Sequence, residues 1–205
     1  IGPGDIDQPG FPLFGLFAAA LGAAAVIPDM DPTRPAQVNP AKFVRSMLDW
    51  QVTYSFGSPA IWNVVSRHCI AAGITLPVKK VLMAGAPVSG ELISRVQRIM
   101  PEGGVVHTPY GATESLPSVS ITGEEILRET WAKTRIGQGA CVGRPLPGMS
   151  VQIIRPVNRP LAEWSDAQPL PVGKIGEIVV KGPVVTRAYD GNEAETRLAK
   201  IRDGG

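Results

Sequence analysis

Val78-Lys79-Lys80-Val81-Leu82-Met83-Ala84-Gly85-Ala86-Pro87 decides the fold class. The first seven residues are mostly apolar and read as a strand, which Gly-Ala-Pro ends abruptly. Ser89 then caps a helix that carries Leu92, Ile93, Val96, Ile99 and Met100 and is stopped by Pro101. Gly104 to His107 reads as the next strand. A strand, a capped amphipathic helix and a second strand in close succession predict a right-handed crossover and parallel pairing.

The same grammar extends upstream. Ala25 to Ile27 reads as a short apolar strand ended by Pro28. Asn39 caps a helix with Pro40 in its first position, and Phe43, Val44, Met47 and Leu48 give that helix one apolar face. Val52 to Phe56 reads as a strand. Ser58-Pro59 repeats the cap-plus-proline start, Ile61, Trp62, Val64, Val65 and Cys69 face inward, and Gly73 ends the helix. The expected fold class is therefore α/β: a largely parallel sheet flanked by helices. Thr122 with Glu125 predicts a capping box for a helix through Ile126, Leu127 and Trp131.

The composition then changes. Val142-Gly143-Arg144-Pro145-Leu146-Pro147-Gly148 is turn-rich. Val151 to Ile154 and Ile175 to Lys181 read as strands joined by a proline-containing loop from Arg155 to Val172, and Asn192 with Glu195 starts a last short helix. The expected domains are an α/β subdomain over 1–140, with part of a ligand cleft, and an incomplete β-rich, β-barrel-like subdomain over 141–205.

The bulk numbers exclude several classes. A chain of 205 residues with 44% hydrophobic and 19% charged residues can bury a real core. A net charge of +2 gives no electrostatic case for nucleic acid or an anionic membrane. The uncharged run from Phe11 to Ile27 is interrupted by Pro12, Gly15 and Gly22 and falls short of the ~18 apolar residues of a membrane span. It reads as a buried helix running into a strand. Cys69 and Cys141 have no metal spacing and form no disulfide framework, which points to a reducing cytoplasm. No G-x-G-x-x-G follows a strand, which argues against a dinucleotide oxidoreductase. The chain opens on Ile1-Gly2-Pro3 without Met and closes on Asp203-Gly204-Gly205, so it reads as an internal piece of a longer protein.

In parallel sheets, ligands sit beyond the carboxyl ends of the strands. Two loops are expected there, Gly85-Ala86-Pro87 and Thr108 to Ser115, bordering one cleft. The second contains Tyr110-Gly111-Ala112-Thr113-Glu114-Ser115. Its ring can stack on a base, its hydroxyls can donate to a phosphate, and its carboxylate can hold a hard cation such as Mg²⁺. Alone, the string reads equally as a solvated turn. His107 reads as a structural histidine or as a group that orients substrate or moves a proton. His68 and Cys69 read as packing, Glu177 as a turn residue and Arg144 as a turn or surface residue. Phe11 to Phe17 reads as core or as the wall of an acyl tunnel.

The order of motifs carries a resemblance. Gly85-Ala86-Pro87 precedes Tyr110 to Ser115, then come Val142 to Gly148, Gly176-Glu177-Ile178, Gly182-Pro183 and Tyr189. Over essentially its whole length the chain resembles the adenylate-forming superfamily of acyl-CoA ligases, luciferases and nonribosomal adenylation domains. Phe11-Pro12-Leu13-Phe14-Gly15-Leu16-Phe17, Ile27 to Pro35 and His107-Thr108-Pro109-Tyr110 are similar to the β-lactone synthetases of bacterial long-chain olefin biosynthesis. Many acyl-CoA ligases have P-L-F-H in the first stretch, and Gly15 stands at that histidine here.

The resemblance implies an ATP-dependent, AMP-forming, Mg²⁺-requiring ligase acting on a small-molecule carboxylic acid. Thr113 and Glu114 would be its catalytic residues, Thr113 bonding the phosphate and Glu114 binding Mg²⁺. Tyr110 would stack on adenine, with Gly111 beside the nucleotide, and Gly85, Ala86 and Pro87 would wrap the adenosine. Phe14, Gly15, His107 and Ala112 would border the acyl pocket. The implied product is a β-lactone from a long-chain 2-alkyl-3-hydroxy acid, with association to other enzymes of a lipid or olefin pathway. The alternatives are a long-chain fatty acyl-CoA ligase, which would need CoA, and a non-catalytic nucleotide-binding module. The family's Lys-ended phosphate loop, its ribose-binding R-T-G-D-type string and its C-terminal lid are not in this sequence, so these 205 residues alone are expected not to adenylate.

Overall fold

A computed structural model describes residues 1–204; Gly205, the last residue of the expected closing turn, lies outside the described residues. The chain packs as two compact units, Ile1–Pro109 with Ser120–Gly143, and Tyr110–Val119 with Arg144–Gly205. Tyr110 to Val119 therefore goes with the later segment, whereas the sequence groups it with 1–140.

The first unit is a parallel sheet with helices packed on it. Its elements are β1 (Ile6–Asp7), α1 (Gly15–Ala20), β2 (Ala24–Ala25), α2 (Pro40–Asp49), β3 (Tyr54–Gly57), α3 (Pro59–Ala72), β4 (Lys80–Met83), α4 (Gly90–Gln97) and β5 (Val105–His107). The sheet order is β2-β1-β3-β4-β5, and every pair is parallel. Later in the chain, α5 (Gly123–Glu125), a π-helical turn (Ile126–Thr130) and α6 (Trp131–Arg135) return to this unit.

Local chemistry sets the helix starts. Asn39, Ser58 and Ser89 each accept a backbone N–H at the third helical position, from Lys42, Ile61 and Leu92. Thr122 and Glu125 form the expected reciprocal capping box. Gly73 closes α3 at φ +63, where a glycine carries no Cβ penalty. Phe43, Met47, Ile61, Trp62, Val65, Val81, Met83, Ile93 and Val106 share one core. Each such side chain, fully buried, contributes about 1.5–3 kcal/mol of transfer free energy. Val64 is only partly buried at the rim of that core.

Three expectations are corrected. The stretch Phe11 to Ile27 is not a buried helix. It forms a 3₁₀ turn (Pro12–Phe14) and α1, and leaves Leu13, Leu16, Phe17, Leu21 and Ile27 exposed. α1 buries only Gly15 and Ala18, because small residues form the face that meets the sheet. The following strand is Ala24–Ala25 rather than Ala25 to Ile27, although Val26 still donates its N–H to the Asp7 carbonyl at 2.7 Å. Thr108 to Ser115 is not a plain loop, since most of it is built into the hairpin described below.

β1 is the strand the sequence hides, because its second residue is a buried acid. Asp7 is 2% exposed and its Oδ1 has no hydrogen-bond partner among the described residues. Burial pushes its carboxyl up to about 7. Gln8 follows, fully buried but satisfied: its amide donates to the Phe43 carbonyl at 3.1 Å and its Oε1 accepts from Ser46.

The second unit is built on strands. β6 (Tyr110–Ala112), β7 (Ser115–Ser120) and β8 (Arg144–Pro145) form one sheet, and β9 (Ser150–Ile154) pairs antiparallel with β10 (Glu177–Lys181). A last helix, α7 (Glu193–Ala199), starts at Asn192, whose side chain accepts from the Glu195 N–H. Among the described residues no helix is long and apolar enough to cross a membrane.

Candidate functional site

Tyr110-Gly111-Ala112 and the strand from Ser115 form an antiparallel hairpin, with Ala112 opposite Ser115 and Tyr110 opposite Val119. Thr113 and Glu114 are the two residues of its turn. The hairpin depends on a glycine. A Cβ on Gly111 would run into the carbonyl oxygen of Ser115 and press on Leu116. Ser115 and Ser118 exchange a hydroxyl hydrogen bond of 2.7 Å beneath the turn, both side chains buried.

The turn presents its chemistry outward. Tyr110 is 40% exposed, and Ala112 and Thr113 are exposed. Glu114 is held from a distant part of the chain. Tyr189 Oη donates to Glu114 Oε1 at 2.7 Å, and the Thr186 N–H donates to the Glu114 carbonyl at 2.8 Å. The Tyr189 hydrogen bond, then the backbone N–H of Glu114 itself and the charge of Lys200, hold the Glu114 carboxyl below the usual range, and the same hydrogen bond raises the Tyr189 phenol. A cavity of about 280 Å³ in this unit is bordered by Glu114, Ser115, Val185, Lys200 and Ile201.

The donor set suits one kind of metal. No group of three or more His, Cys, Asp or Glu able to hold an ion occurs among the described residues. A single accessible carboxylate fits a hard cation that takes its remaining ligands from phosphates and water, as Mg²⁺ does. Glu114 is legible in the sequence as a candidate ligand, whereas its partner Tyr189 is there only one motif in a series.

The other expected site residues lie in the first unit. Gly85-Ala86-Pro87 follows β4 as an exposed loop, with Gly85 at φ +91 and open space where a side chain would stand. Register aligns Phe56 with Leu82 and Leu82 with His107, so the carboxyl ends of β3, β4 and β5 share one edge. Phe14 packs on Phe56 with ring centroids 4.3 Å apart, and Phe11 lies 5.8 Å from the same ring. That aromatic cluster, the Gly85 loop and His107 thus meet one edge of the sheet. Gly15 is buried, and a Cβ there would stand 3.1 Å from Ile27 Cδ1, so Ile27 fills the space a histidine would need. His107 bridges to Thr122, and burial, then the charge of Lys80, lowers its pKa against the opposing pull of Glu125. Cys69 is buried packing, its thiol pushed up to about 11 by burial, and His68 is half-buried beside it in α3. Glu177 and Arg144 are exposed at the starts of β10 and β8.

The chain holds a parallel sheet with exposed loops at its carboxyl edge and a second unit of strands that carries the Thr-Glu turn. O-Succinylbenzoate coenzyme A synthetase from Bacillus subtilis, in complex with ATP and magnesium ion, superimposes with a TM-score of 0.69 at 19% identity, over 95% of this chain and 36% of that one. The AMP-binding enzyme family matches residues 10–190, and the chain belongs to it. Its similarity reaches 44% identity over 201 residues with the olefin beta-lactone synthetase of Stenotrophomonas maltophilia, spanning 98% of this chain and 36% of the relative. With the olefin beta-lactone synthetase of Xanthomonas campestris it is 43% over 202 residues, 98% of this chain and 35% of the relative. The chain thus spans about a third of the length of these curated relatives.

Proposed function

We propose that this chain supplies part of the nucleotide site of an ATP-dependent, AMP-forming enzyme that activates a long-chain 2-alkyl-3-hydroxy acid and closes it to a β-lactone. The observation that carries the reading is the Thr113-Glu114 turn, with its carboxylate held by Tyr189, in a chain so close along its length to olefin beta-lactone synthetases.

In the first half-reaction the substrate carboxylate attacks the α-phosphorus of ATP and pyrophosphate leaves. An anion attacks an anion, so groups that offset charge in the transition state set the rate. Thr113 donates its hydroxyl to a phosphate oxygen. Glu114 offers its free oxygen to Mg²⁺, which when bound offsets phosphate charge. Tyr110 presents its exposed ring to the adenine, with Gly111 beside the nucleotide. The Gly85-Ala86-Pro87 backbone, where no Cβ intrudes at Gly85, lies along the adenosine. Phe14, Gly15, His107 and Ala112 border the acyl group. In this reading 1–140 is the α/β subdomain and 141–205 the β-rich one, except that Tyr110 to Val119 packs with the later segment.

In the second half-reaction the substrate's own β-hydroxyl oxygen attacks the acyl carbon. The acyl carbon–oxygen bond to AMP breaks, AMP leaves, and the hydroxyl proton passes to a base in the site or to water. No CoA is consumed, and the intramolecular step benefits from proximity. A cytoplasmic location and association with other enzymes of a lipid pathway accompany this reading.

The test uses the complete protein with ATP, Mg²⁺ and a 2-alkyl-3-hydroxy acid, without CoA, following pyrophosphate and organic product. The expected result is pyrophosphate with a β-lactone. A requirement for CoA, with a plain fatty acid accepted and a thioester formed, would replace this reading by an acyl-CoA ligase.

A further inference from the structure

Glu114 occupies the tip of a two-residue turn, and within its own segment only its own backbone N–H acts on its carboxylate. The order comes from residues at the far end of the chain. Tyr189 Oη donates to Glu114 Oε1 at 2.7 Å. Tyr189 is itself fixed, since its N–H donates to Thr196 Oγ1 at 2.9 Å and that hydroxyl donates to the Asn192 carbonyl at 2.8 Å. Lys200 Nζ lies 5.8 Å from the Tyr189 ring centroid and donates to Thr186 Oγ1 at 3.0 Å. Thr186 closes the circuit by donating its N–H to the Glu114 carbonyl. Backbone and carboxylate of Glu114 are thus both anchored to one short segment, Thr186 to Lys200. The second carboxylate oxygen takes no hydrogen bond from another described residue.

We propose that Tyr189 is a positioning residue: it fixes the Glu114 carboxylate so that its free oxygen is already aimed at a divalent cation carried by the nucleotide. The inference rests on the reading of Glu114 as the cation ligand. A glutamate loses side-chain freedom when it binds an ion, and a hydrogen bond already in place removes part of that cost beforehand. Lys200 adds an ammonium close enough to stabilise the ionised carboxylate before the cation arrives. A phenylalanine at 189 keeps the ring on which Lys200 rests and removes only the hydroxyl.

The experiment titrates Mg²⁺ into the complete protein at fixed ATP by calorimetry, with Mn²⁺ as a paramagnetic check. Tyr189→Phe is expected to weaken the metal about tenfold, in line with the effect of losing an outer partner of a metal ligand. ATP binding without metal, and the melting temperature, are expected to stay as in the parent. In turnover, the concentration of Mg²⁺ needed rises, and the rate at saturating Mg²⁺ returns to the parent value. Glu114→Gln is measured alongside. If Glu114→Gln loses the metal and Tyr189→Phe titrates like the parent, the positioning role is overturned alone. If both titrate like the parent, Glu114 is not the ligand and the reading beneath the inference falls with it.

Discussion

Asp7 shows how much one buried group contributes beyond its local sequence. Its carboxyl is 2% exposed, lacks a partner at Oδ1 and titrates at about 7 instead of 3.8. The cause is desolvation, which disfavours the charged form. Between pH 3.8 and about 7 the folded chain holds a proton that the unfolded chain has lost. Stability from this group is therefore fully present below the lower value and falls as pH rises to the upper one. Asp7→Asn keeps the shape without the charge. It is expected to raise the melting temperature of the chain at pH 8, by a few kcal/mol at most in free energy, with the gain vanishing toward pH 4. A pH-independent difference between variant and parent would show that Asp7 is not neutral in the folded state. Tyr54 pairs with Asp7 across β1 and β3, and its phenol is pushed up to about 12 by burial first and the nearby Asp7 second.

At the scale of elements, the hairpin is the decisive case. Its turn residues stand out in the sequence as a candidate ligand motif, but its strands do not. Tyr110, Gly111 and Ala112 lack the alternation of a half-buried strand, and Pro117 interrupts β7. What makes the pairing possible is the close approach of the Ser115 carbonyl to Gly111. Gly111→Ala is expected to destabilise the hairpin by about 1–3 kcal/mol, the usual cost of overpacking, and to displace Thr113 and Glu114. Denaturant melting and the nucleotide affinity of the complete protein check it. A variant with parental stability and parental affinity would mean that the turn tolerates a Cβ. The helices behave differently. Asn39, Ser58 and Ser89 predict helix starts that the structure reproduces, because a cap acts within three residues of itself.

For the whole molecule, the core is unevenly shared. The contiguous core of Met47, Trp62, Val65, Met83, Ile93 and Val106 belongs to the first unit. The buried hydrophobic residues of the second are few, Val119, Ile154 and Leu161, while Val172 and Ile175 are fully exposed. Opening free energy follows buried apolar contact. Hydrogen exchange is therefore expected to be slowest in Lys80–Met83 and Val105–His107 and clearly faster in Ser150–Ile154 and Glu177–Lys181. Uniform protection across both pairs of strands would mean that the chain opens as one cooperative body.

The sequence alone determined the α/β class, the capped helices, the parallel order implied by strand–helix–strand alternation, and the Thr113-Glu114 motif with its family. All of these rest on signals carried by neighbouring residues: a cap three positions from its donor, an apolar face at helical spacing, a short string of hydroxyl and carboxylate side chains. Tertiary structure alone decided that Asp7 lies in a buried strand, that α1 turns most of its apolar side chains outward, and that Gly15 leaves room for Ile27. It also decided that Tyr189 holds Glu114. Those partners stand far apart in the chain, and a side-chain hydrogen bond leaves no periodic trace at either end for the sequence to show.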